Sequence, residues 1–78
     1  MYVVYSLNNC KFCTAAVELL EAAGEEYRVH YLDDNKKFLN EMKNSYYWKT
    51  VPMIFENEEF IGGYSDLVTV FKEKYDSV

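Results

Sequence analysis

The chain has 78 residues, half of them apolar or aromatic, and a formal net charge of −5. This length predicts one domain over 1–78, and the apolar share is enough for a compact core. The acidic balance, with scattered Lys and Arg, argues against nucleic acid or an anionic membrane as a partner. Residues 1–5 lack the positive segment of a signal peptide, and no apolar run could span a membrane. We therefore expect a soluble cytoplasmic protein in a reducing compartment.

The first predicted elements form a strand–helix–strand unit. β-branched and aromatic residues at 2–6 predict a buried strand. Apolar residues then recur at helical spacing over Lys11–Ala23, and Gly24 can adopt the left-handed conformation that ends a helix. These apolar residues are Phe12, Cys13, Ala16, Val17, Leu20 and Ala23. Alternation over Tyr27–Leu32 predicts a second strand, with Tyr27, Val29 and Tyr31 on one face.

The rest of the chain predicts a helix, a hairpin and a last helix. The helix is predicted over 35–44 and buries Phe38, Leu39 and Met42. The hairpin has strands over Met53–Phe55 and Glu59–Ile61 around a turn at 56–58. The last helix reaches about Tyr75, and its apolar face is formed by Leu67, Val68, Val70 and Phe71. Asp33-Asp34-Asn35 offers N-cap chemistry for the first of these helices, and Ser65-Asp66 for the last. The order β-α-β-α-β-β-α predicts an α/β fold, a four-stranded mixed sheet flanked by helices.

Cys10 and Cys13 form a CxxC pair where the first strand leads into the first helix. Unpaired N–H groups and the positive end of the helix dipole stabilise a thiolate there, and Lys11 adds a positive charge. Cys10 is therefore the candidate nucleophile, and Cys13, one turn deeper, the candidate resolving thiol. Two inert buried cysteines are one alternative. A zinc site is another, but it needs about four ligands and only His30 remains, so no metal is expected.

Three segments, in this order, resemble the glutaredoxin family of the thioredoxin superfamily. They are Cys10-Lys11-Phe12-Cys13, Thr50-Val51-Pro52 and Gly62-Gly63-Tyr64-Ser65-Asp66. The resemblance covers essentially the whole chain. It implies a thioredoxin-like fold and an enzyme that uses glutathione to reduce protein disulfides and glutathione mixed disulfides.

The resemblance also implies how glutathione would bind. Pro52 would follow a cis peptide bond, so that the backbone of Val51 can pair with a cysteinyl ligand. The N-terminus of the last helix would bind the γ-glutamyl carboxylate, and Asp66 would meet the ligand's amino group. The glutathione-binding residues implied in this way are Lys11, Phe12, Thr50, Val51, Pro52, Gly63, Tyr64, Ser65 and Asp66.

Two positions depart from the family pattern. Dithiol members commonly have proline where Lys11 stands, and many have a lysine where Leu7 stands. Lys11 or Lys49 could replace that lysine in charge. We expect a monomer that acts on disulfide-containing or glutathionylated proteins, with ribonucleotide reductase as the client that the resemblance suggests. Two alternatives stay open, namely reduction by thioredoxin reductase and a glutathione-ligated iron–sulfur cluster held through Cys10.

Aromatic residues near the motifs have two interpretations. Tyr46-Tyr47-Trp48 precedes Thr50, and packing on the nearby helix is a simpler expectation than contact with a protein substrate. Phe12, between the cysteines, is equally compatible with packing and with exposure to a substrate. His30 is most simply a strand residue.

Overall fold

A computed structural model describes residues 1–75, which form seven elements in the predicted order. The strands are β1 (Tyr2–Ser6), β2 (Tyr27–Tyr31), β3 (Met53–Glu56) and β4 (Glu59–Gly62), and the helices are α1 (Lys11–Ala22), α2 (Lys36–Ser45) and α3 (Tyr64–Tyr75). The sheet order is β2-β1-β3-β4, with β1 and β2 parallel and the other pairs antiparallel. The predicted four-stranded mixed sheet is thus confirmed. No helix of this range is long and apolar enough to cross a membrane.

Each face of the sheet carries its own apolar core. On one face α1 and α3 pack against β1 and β3, and this core contains Tyr2, Val4, Ala16, Leu20, Ile54, Leu67 and Phe71. On the other face α2 packs over a core of Leu32, Leu39, Met42, Met53 and Phe55. Because both faces of β3 are covered, its first three residues are all buried instead of alternating. Cys10 follows the central strand β1. It therefore lies at the end of a strand that has a packed apolar layer on each face.

Phe38, which the sequence predicted to be buried, is exposed, and so is Phe12, for which the sequence left packing and exposure equally open. Phe12 is 59% exposed and Phe38 is 39% exposed. Each lies one position before a buried residue, Cys13 in α1 and Leu39 in α2. One position is a rotation of about 100° around a helix, which turns the side chain away from the sheet. Tyr31 is also exposed, since it ends the edge strand β2.

The first two helices end in the same hydrogen-bonded motif. At the end of α1, Gly24 has a φ of +70°, its N–H bonds Glu21 O at 3.0 Å, and the next N–H bonds Leu20 O at 3.1 Å. At the end of α2, Tyr47 takes the same position with a φ of +53°, and the next N–H bonds Lys43 O at 2.8 Å. Both pairs are Schellman motifs, in which the left-handed position favours glycine. The stop at Gly24 is therefore confirmed, and α2 has a tyrosine in the place of that glycine.

Charged contacts gather at the end of the sheet where β1 begins. Glu25 accepts from Lys74 Nζ at 2.8 Å and from the Tyr75 hydroxyl, and the bond from Lys74 is the main reason that the pKa of Glu25 is lowered. The Tyr2 hydroxyl donates to Glu56 at 3.0 Å. Burial, followed by this contact with Glu56, raises the pKa of Tyr2 to about 12. These contacts fasten the end of α3 to the sheet, far from the cysteines.

Candidate active site

Cys10 and Cys13 form a disulfide at the N-terminus of α1, with their Cα atoms 5.2 Å apart. Cys10 is the N-cap residue, and its Sγ accepts the backbone N–H of Cys13 at 3.2 Å. Cys13 is only 3% exposed, whereas Cys10 is half-buried. This order of exposure is the one expected of an attacking sulfur and a shielded resolving sulfur. The assignment of those two roles stays a prediction.

The surroundings of Cys10 favour a thiolate once the disulfide is reduced. The Cys13 N–H and the positive end of α1 face its sulfur, and the first turn of α1 contains no acidic residue. Lys11, in that turn, is exposed and contributes a positive charge. The Thr14 N–H and hydroxyl both donate to Cys10 O, at 3.1 and 3.2 Å, which fixes the cap conformation.

The loop between β1 and Cys10 is held by a contact that the sequence pattern did not indicate. The backbone N–H of Asn8 donates to both carboxylate oxygens of Asp33, at 3.2 and 3.0 Å, and its amide donates at 2.9 Å. Asp33 had been expected to cap α2. Asn35 is the actual N-cap of α2, and its side chain makes no capping hydrogen bond. Asp33 turns instead toward the loop because parallel pairing brings the ends of β1 and β2 together.

A groove of about 300 Å³ opens beside the dithiol. Its lining residues come from all three predicted segments, and they are Phe12, Thr50, Val51, Pro52, Tyr64 and Ser65. Val51 O lies 3.9 Å from Cys10 Sγ, and the peptide bond between Val51 and Pro52 is cis. Within residues 1–75 the backbone N–H and C=O of Val51 have no backbone hydrogen-bond partner. The groove therefore presents the backbone N–H and C=O of Val51 beside the Cys10 sulfur.

The N-terminus of α3 closes one side of the groove, and the helix begins before the Ser65-Asp66 pair that was predicted to cap it. Tyr64 is the first helical residue, so Ser65 and Asp66 lie inside the first turn and do not precede it. Asp66 Oδ2 reaches back and accepts the N–H of Gly63 at 2.9 Å. A third-position carboxylate that bonds the N-cap N–H is one half of a capping box, which explains the shift.

The two glycines before α3 have different structural roles. Gly62 has a φ of +121°, and a Cβ built on it would lie 2.6 Å from Asp66 Cγ. At Gly63 a Cβ would meet only ordinary contacts, Trp48 Cζ2 at 3.5 Å and Pro52 O at 3.6 Å. Gly62 is therefore required by the cap of α3.

The remaining residues considered from the sequence lie around the groove or away from it. Lys11 and Lys49 are exposed beside it, while Leu7 is partly buried in the core beneath α2. Tyr47 is 94% exposed, and Trp48 packs on Phe60 with the ring centres 5.2 Å apart. Tyr46 and Trp48 therefore pack, but on aromatic residues of β3 and β4 and not on the nearby helix as expected, while Tyr47 faces solvent.

His30 and the question of a metal can be treated together. His30 is an exposed strand residue whose ring stacks on Tyr5 at 5.3 Å, as expected from the sequence. No group of three or more His, Cys, Asp or Glu side chains within residues 1–75 is placed to hold a metal ion.

Comparisons with known proteins agree with this geometry. The Glutaredoxin family model matches residues 2–61. The chain is 35% identical over 75 residues to human glutaredoxin-2, mitochondrial, a match that covers 91% of this chain but only 45% of that protein. The chain spans 60%, 46% and 45% of the length of the first three curated relatives.

Solved structures support the same assignment. The solution structure of a dithiolic glutaredoxin from Trypanosoma brucei brucei superposes with a TM-score of 0.83 at 39% identity, covering 94% of this chain and 78% of that one. A buckwheat glutaredoxin–glutathione complex shares the fold, with a TM-score of 0.87 at 22% identity, covering 94% of this chain and 69% of that one. The expected thioredoxin-like fold is thereby confirmed. The chain belongs to the glutaredoxin family of thiol–disulfide oxidoreductases, and Cys10 and Cys13 are its dithiol.

Proposed function

We propose that this chain uses glutathione to reduce protein disulfides and glutathione mixed disulfides, with Cys10 as the nucleophile and Cys13 as the resolving thiol. The observation that carries the proposal is the position of Cys10. Its sulfur accepts the Cys13 N–H at 3.2 Å and lies 3.9 Å from Val51 O in the groove. An activated sulfur beside free backbone is what thiol–disulfide exchange on a cysteinyl substrate requires.

On a glutathione mixed disulfide the reaction needs only Cys10. Its thiolate attacks the glutathione sulfur, so that a Cys10–glutathione disulfide forms and the client sulfur leaves as a thiolate, which takes a proton from water. The thiolate of a second glutathione then attacks the glutathione sulfur on Cys10. Glutathione disulfide leaves, and the Cys10 thiolate is restored. In the net reaction the sulfur of the free glutathione is oxidised to the disulfide level and the client sulfur is reduced to a thiol, while the glutathione that came from the client stays at the disulfide level throughout.

On a protein disulfide the second cysteine takes part. Cys10 attacks one client sulfur and forms a mixed disulfide, releasing the other client sulfur as a thiolate. Cys13 then attacks Cys10 Sγ, which frees the client as a dithiol and leaves the Cys10–Cys13 disulfide. Two glutathione molecules return this disulfide to the dithiol and leave as glutathione disulfide. The 5.2 Å separation of the Cα atoms is within the usual range for a disulfide, which supports this resolving step.

The groove supports glutathione as the reductant. In the proposed binding mode the cysteinyl backbone of glutathione pairs with Val51, and its γ-glutamyl carboxylate meets the first N–H groups of α3. Asp66 uses one carboxylate oxygen for Gly63, and in this proposal it offers the other to the ligand's amino group. The buckwheat glutaredoxin of the same fold is described as a glutathione complex, which agrees with this assignment.

Turnover of a glutathione mixed disulfide by three forms of the chain tests the proposal. We expect Cys10→Ser to be inactive, because the remaining thiol, that of Cys13, is only 3% exposed and cannot reach the substrate. Cys13→Ser should keep activity on the mixed disulfide, because that route needs no resolving thiol, and should lose activity on a protein disulfide. Equal loss of both activities in the two variants would contradict the division of roles.

The same assay separates the possible reductants. Many family members have a lysine three residues before the first cysteine. In this chain Leu7 takes that position, and it packs into the core beneath α2. If the wild type were inactive with glutathione but active with thioredoxin reductase, the reductant proposed here would be wrong. Ribonucleotide reductase as a client is a part of the proposal that rests on the resemblance alone, and a reducing cytoplasmic compartment is a part that rests on the sequence expectation alone. Electron transfer to purified ribonucleotide reductase would test the first of these.

A further inference from the structure

Two positive side chains without ion-pair partners flank the groove. Lys11 stands between Cys10 and Phe12 on the α1 side, and Lys49 precedes Thr50 on the opposite side. Both lysines are exposed, and within residues 1–75 neither forms an ion pair with a carboxylate. Both therefore remain free to meet a negatively charged group that approaches the dithiol.

The acidic residues of the chain do not cancel these charges. Asp33 and Asp66 lie beside the site and accept from Asn8 and from the Gly63 N–H. Their two negative charges are matched by those of the two lysines, and the N-termini of α1 and α3 each add about half a positive charge. Five of the remaining acidic side chains lie where β1 begins, and they are Glu25, Glu26, Glu56, Glu58 and Glu59. β1 has five residues, which corresponds to about 17 Å of extended chain. That separation exceeds the Debye length of about 8 Å at physiological salt.

An aromatic pair adds apolar surface to the same place. Phe12 is 59% exposed, and its ring stacks on Tyr64 with the centres 5.9 Å apart and an angle of 30° between the planes. Both residues line the groove. Because the stacking on Tyr64 already orders the Phe12 ring, Phe12 can bury further apolar area against a partner at little additional cost in side-chain entropy. The groove thus combines positive charge with an apolar platform.

We propose that Lys11, Phe12, Lys49 and Tyr64, named here the client surface, select client cysteines that are flanked by an acidic residue and a large apolar residue. The inference rests on the proposed function and adds the class of protein substrate to it. The occupant is an extended segment of a client, centred on its disulfide-bonded cysteine. Its backbone runs along Val51, its acidic side chain meets a lysine, and its apolar side chain covers Phe12.

Glutathione also carries carboxylates, so a simple loss of activity in a lysine variant would not identify the charge that the lysine meets. A ratio of two rates removes this ambiguity. Four symmetric peptide disulfides are compared, each made of two copies of one peptide joined through its cysteine, so that Cys10 attacks a client sulfur. They differ only in the two residues next to the cysteine, Asp or Lys on one side and Phe or Ser on the other, and glutathione is the reductant for all of them. Glutathione is the same in all four, so its own contacts cancel in the ratio of kcat/KM.

We expect the wild type to prefer the Asp peptides over the Lys peptides by about tenfold, the size expected of one or two exposed charge pairs. The preference for Phe over Ser should be about fivefold, from partial burial of the two rings. Lys11→Glu combined with Lys49→Glu should abolish or invert the first ratio, and Phe12→Ser should abolish the second. Lys72→Glu, a matched charge reversal in the last turn of α3, should leave both ratios unchanged.

Phe38→Ser is the aromatic control, because Phe38 is exposed on the α2 side of the sheet. Equal rates for all four peptides with the wild type would overturn the proposal of a client surface and leave the proposed function intact. Ratios that persist in the charge-reversed and Phe12 variants would also overturn it. Absence of turnover of every peptide disulfide would overturn both proposals. Because the wild-type ratios are decisive by themselves, a variant that fails to fold does not rescue the proposal.

Discussion

A methyl group added at Gly62 should disrupt the N-terminus of α3 far more than one added at Gly63. At Gly62 the new Cβ would lie 2.6 Å from Asp66 Cγ, well inside the 3.5–4.0 Å or so of a normal carbon contact. Gly62 also has a φ of +121°, a region that costs a residue with a side chain about 1–3 kcal/mol. At Gly63 the nearest atoms are 3.5 Å away, and its φ is not positive.

The expected cost follows from these two terms and the hydrogen bond that the clash breaks. Asp66 must move, and its charge-assisted bond to the Gly63 N–H, 2.9 Å long, contributes about 1.5–3 kcal/mol. Since the strain and the displacement relieve each other, we expect Gly62→Ala to lower the free energy of unfolding by about 3 kcal/mol in total. In a domain of this size that corresponds to a fall in Tm of roughly 12–24 °C. Gly63→Ala should cost less than about 1 kcal/mol.

Thermal and urea denaturation of the oxidised protein measure these values, and a double variant tests the cause. In Gly62→Ala with Asp66→Ala the clash with the carboxylate is gone, so the two costs should fall short of additivity by about 1–2 kcal/mol. The KM for glutathione should rise about tenfold in Gly62→Ala, because the first N–H groups of α3 form one wall of the groove. Equal stability of the two alanine variants, or strict additivity in the double variant, would refute this reasoning.

Other predictions concern strain, alkaline pH and salt. Tyr47 is 94% exposed at a φ of +53°, a strained value for a residue with a side chain, so Tyr47→Gly should raise the Tm by roughly 3–6 °C. Gly24→Ala should lower the Tm by a similar amount, because Gly24 has a φ of +70°, although the added Cβ would meet no atom within 4 Å. The folded pKa of Tyr2 is about 12 against 10.0 unfolded, so its contribution is complete below pH 10. That contribution should fall by at most about 1.4 kcal/mol per pH unit between pH 10 and 12. Urea denaturation at pH 9 and 11.5 should therefore show Tyr2→Phe losing less stability than the wild type, and equal losses would contradict the assignment. The kcat/KM for an anionic glutathione mixed disulfide should fall as salt is raised, and a rise would mean that the net charge of −5 governs approach.

The element order and the place of the dithiol could be predicted because both depend on local signals. Apolar periodicity, turn residues and the CxxC position at a strand–helix junction are properties of a few neighbouring residues. Each predicted element bound lies within one residue of the observed bound, except the start of α3, which is Tyr64 although Ser65-Asp66 was predicted to cap that helix. Phe12 and Phe38 show the limit of such signals, because a shift of one position rotates a helical side chain by about 100°.

The contacts that shape the site join residues far apart along the chain, and no local pattern indicated them. Asp33 lies 25 residues from Asn8, and their hydrogen bonds depend on parallel pairing of β1 with β2. From the sequence, Asp33 was equally suited to capping α2, and the folded chain uses it elsewhere. The different roles of Gly62 and Gly63 likewise depend on the direction of the Asp66 carboxylate. That direction is set only when the first turn of α3 has formed.

Net charge and local charge differ in sign in this protein, and the difference follows from the fold. Two helix N-termini, those of α1 and α3, meet at the groove, and each contributes about half a positive charge. Lys11 and Lys49 add to them, while the hairpin and the α1–β2 turn place several glutamates at the other end of the sheet. Because screening in physiological salt acts over about 8 Å, an approaching anion responds to the near end and not to the total of −5. An acidic composition, which argues against nucleic acid as a partner, is therefore compatible with an anionic tripeptide and with acidic client segments at the dithiol.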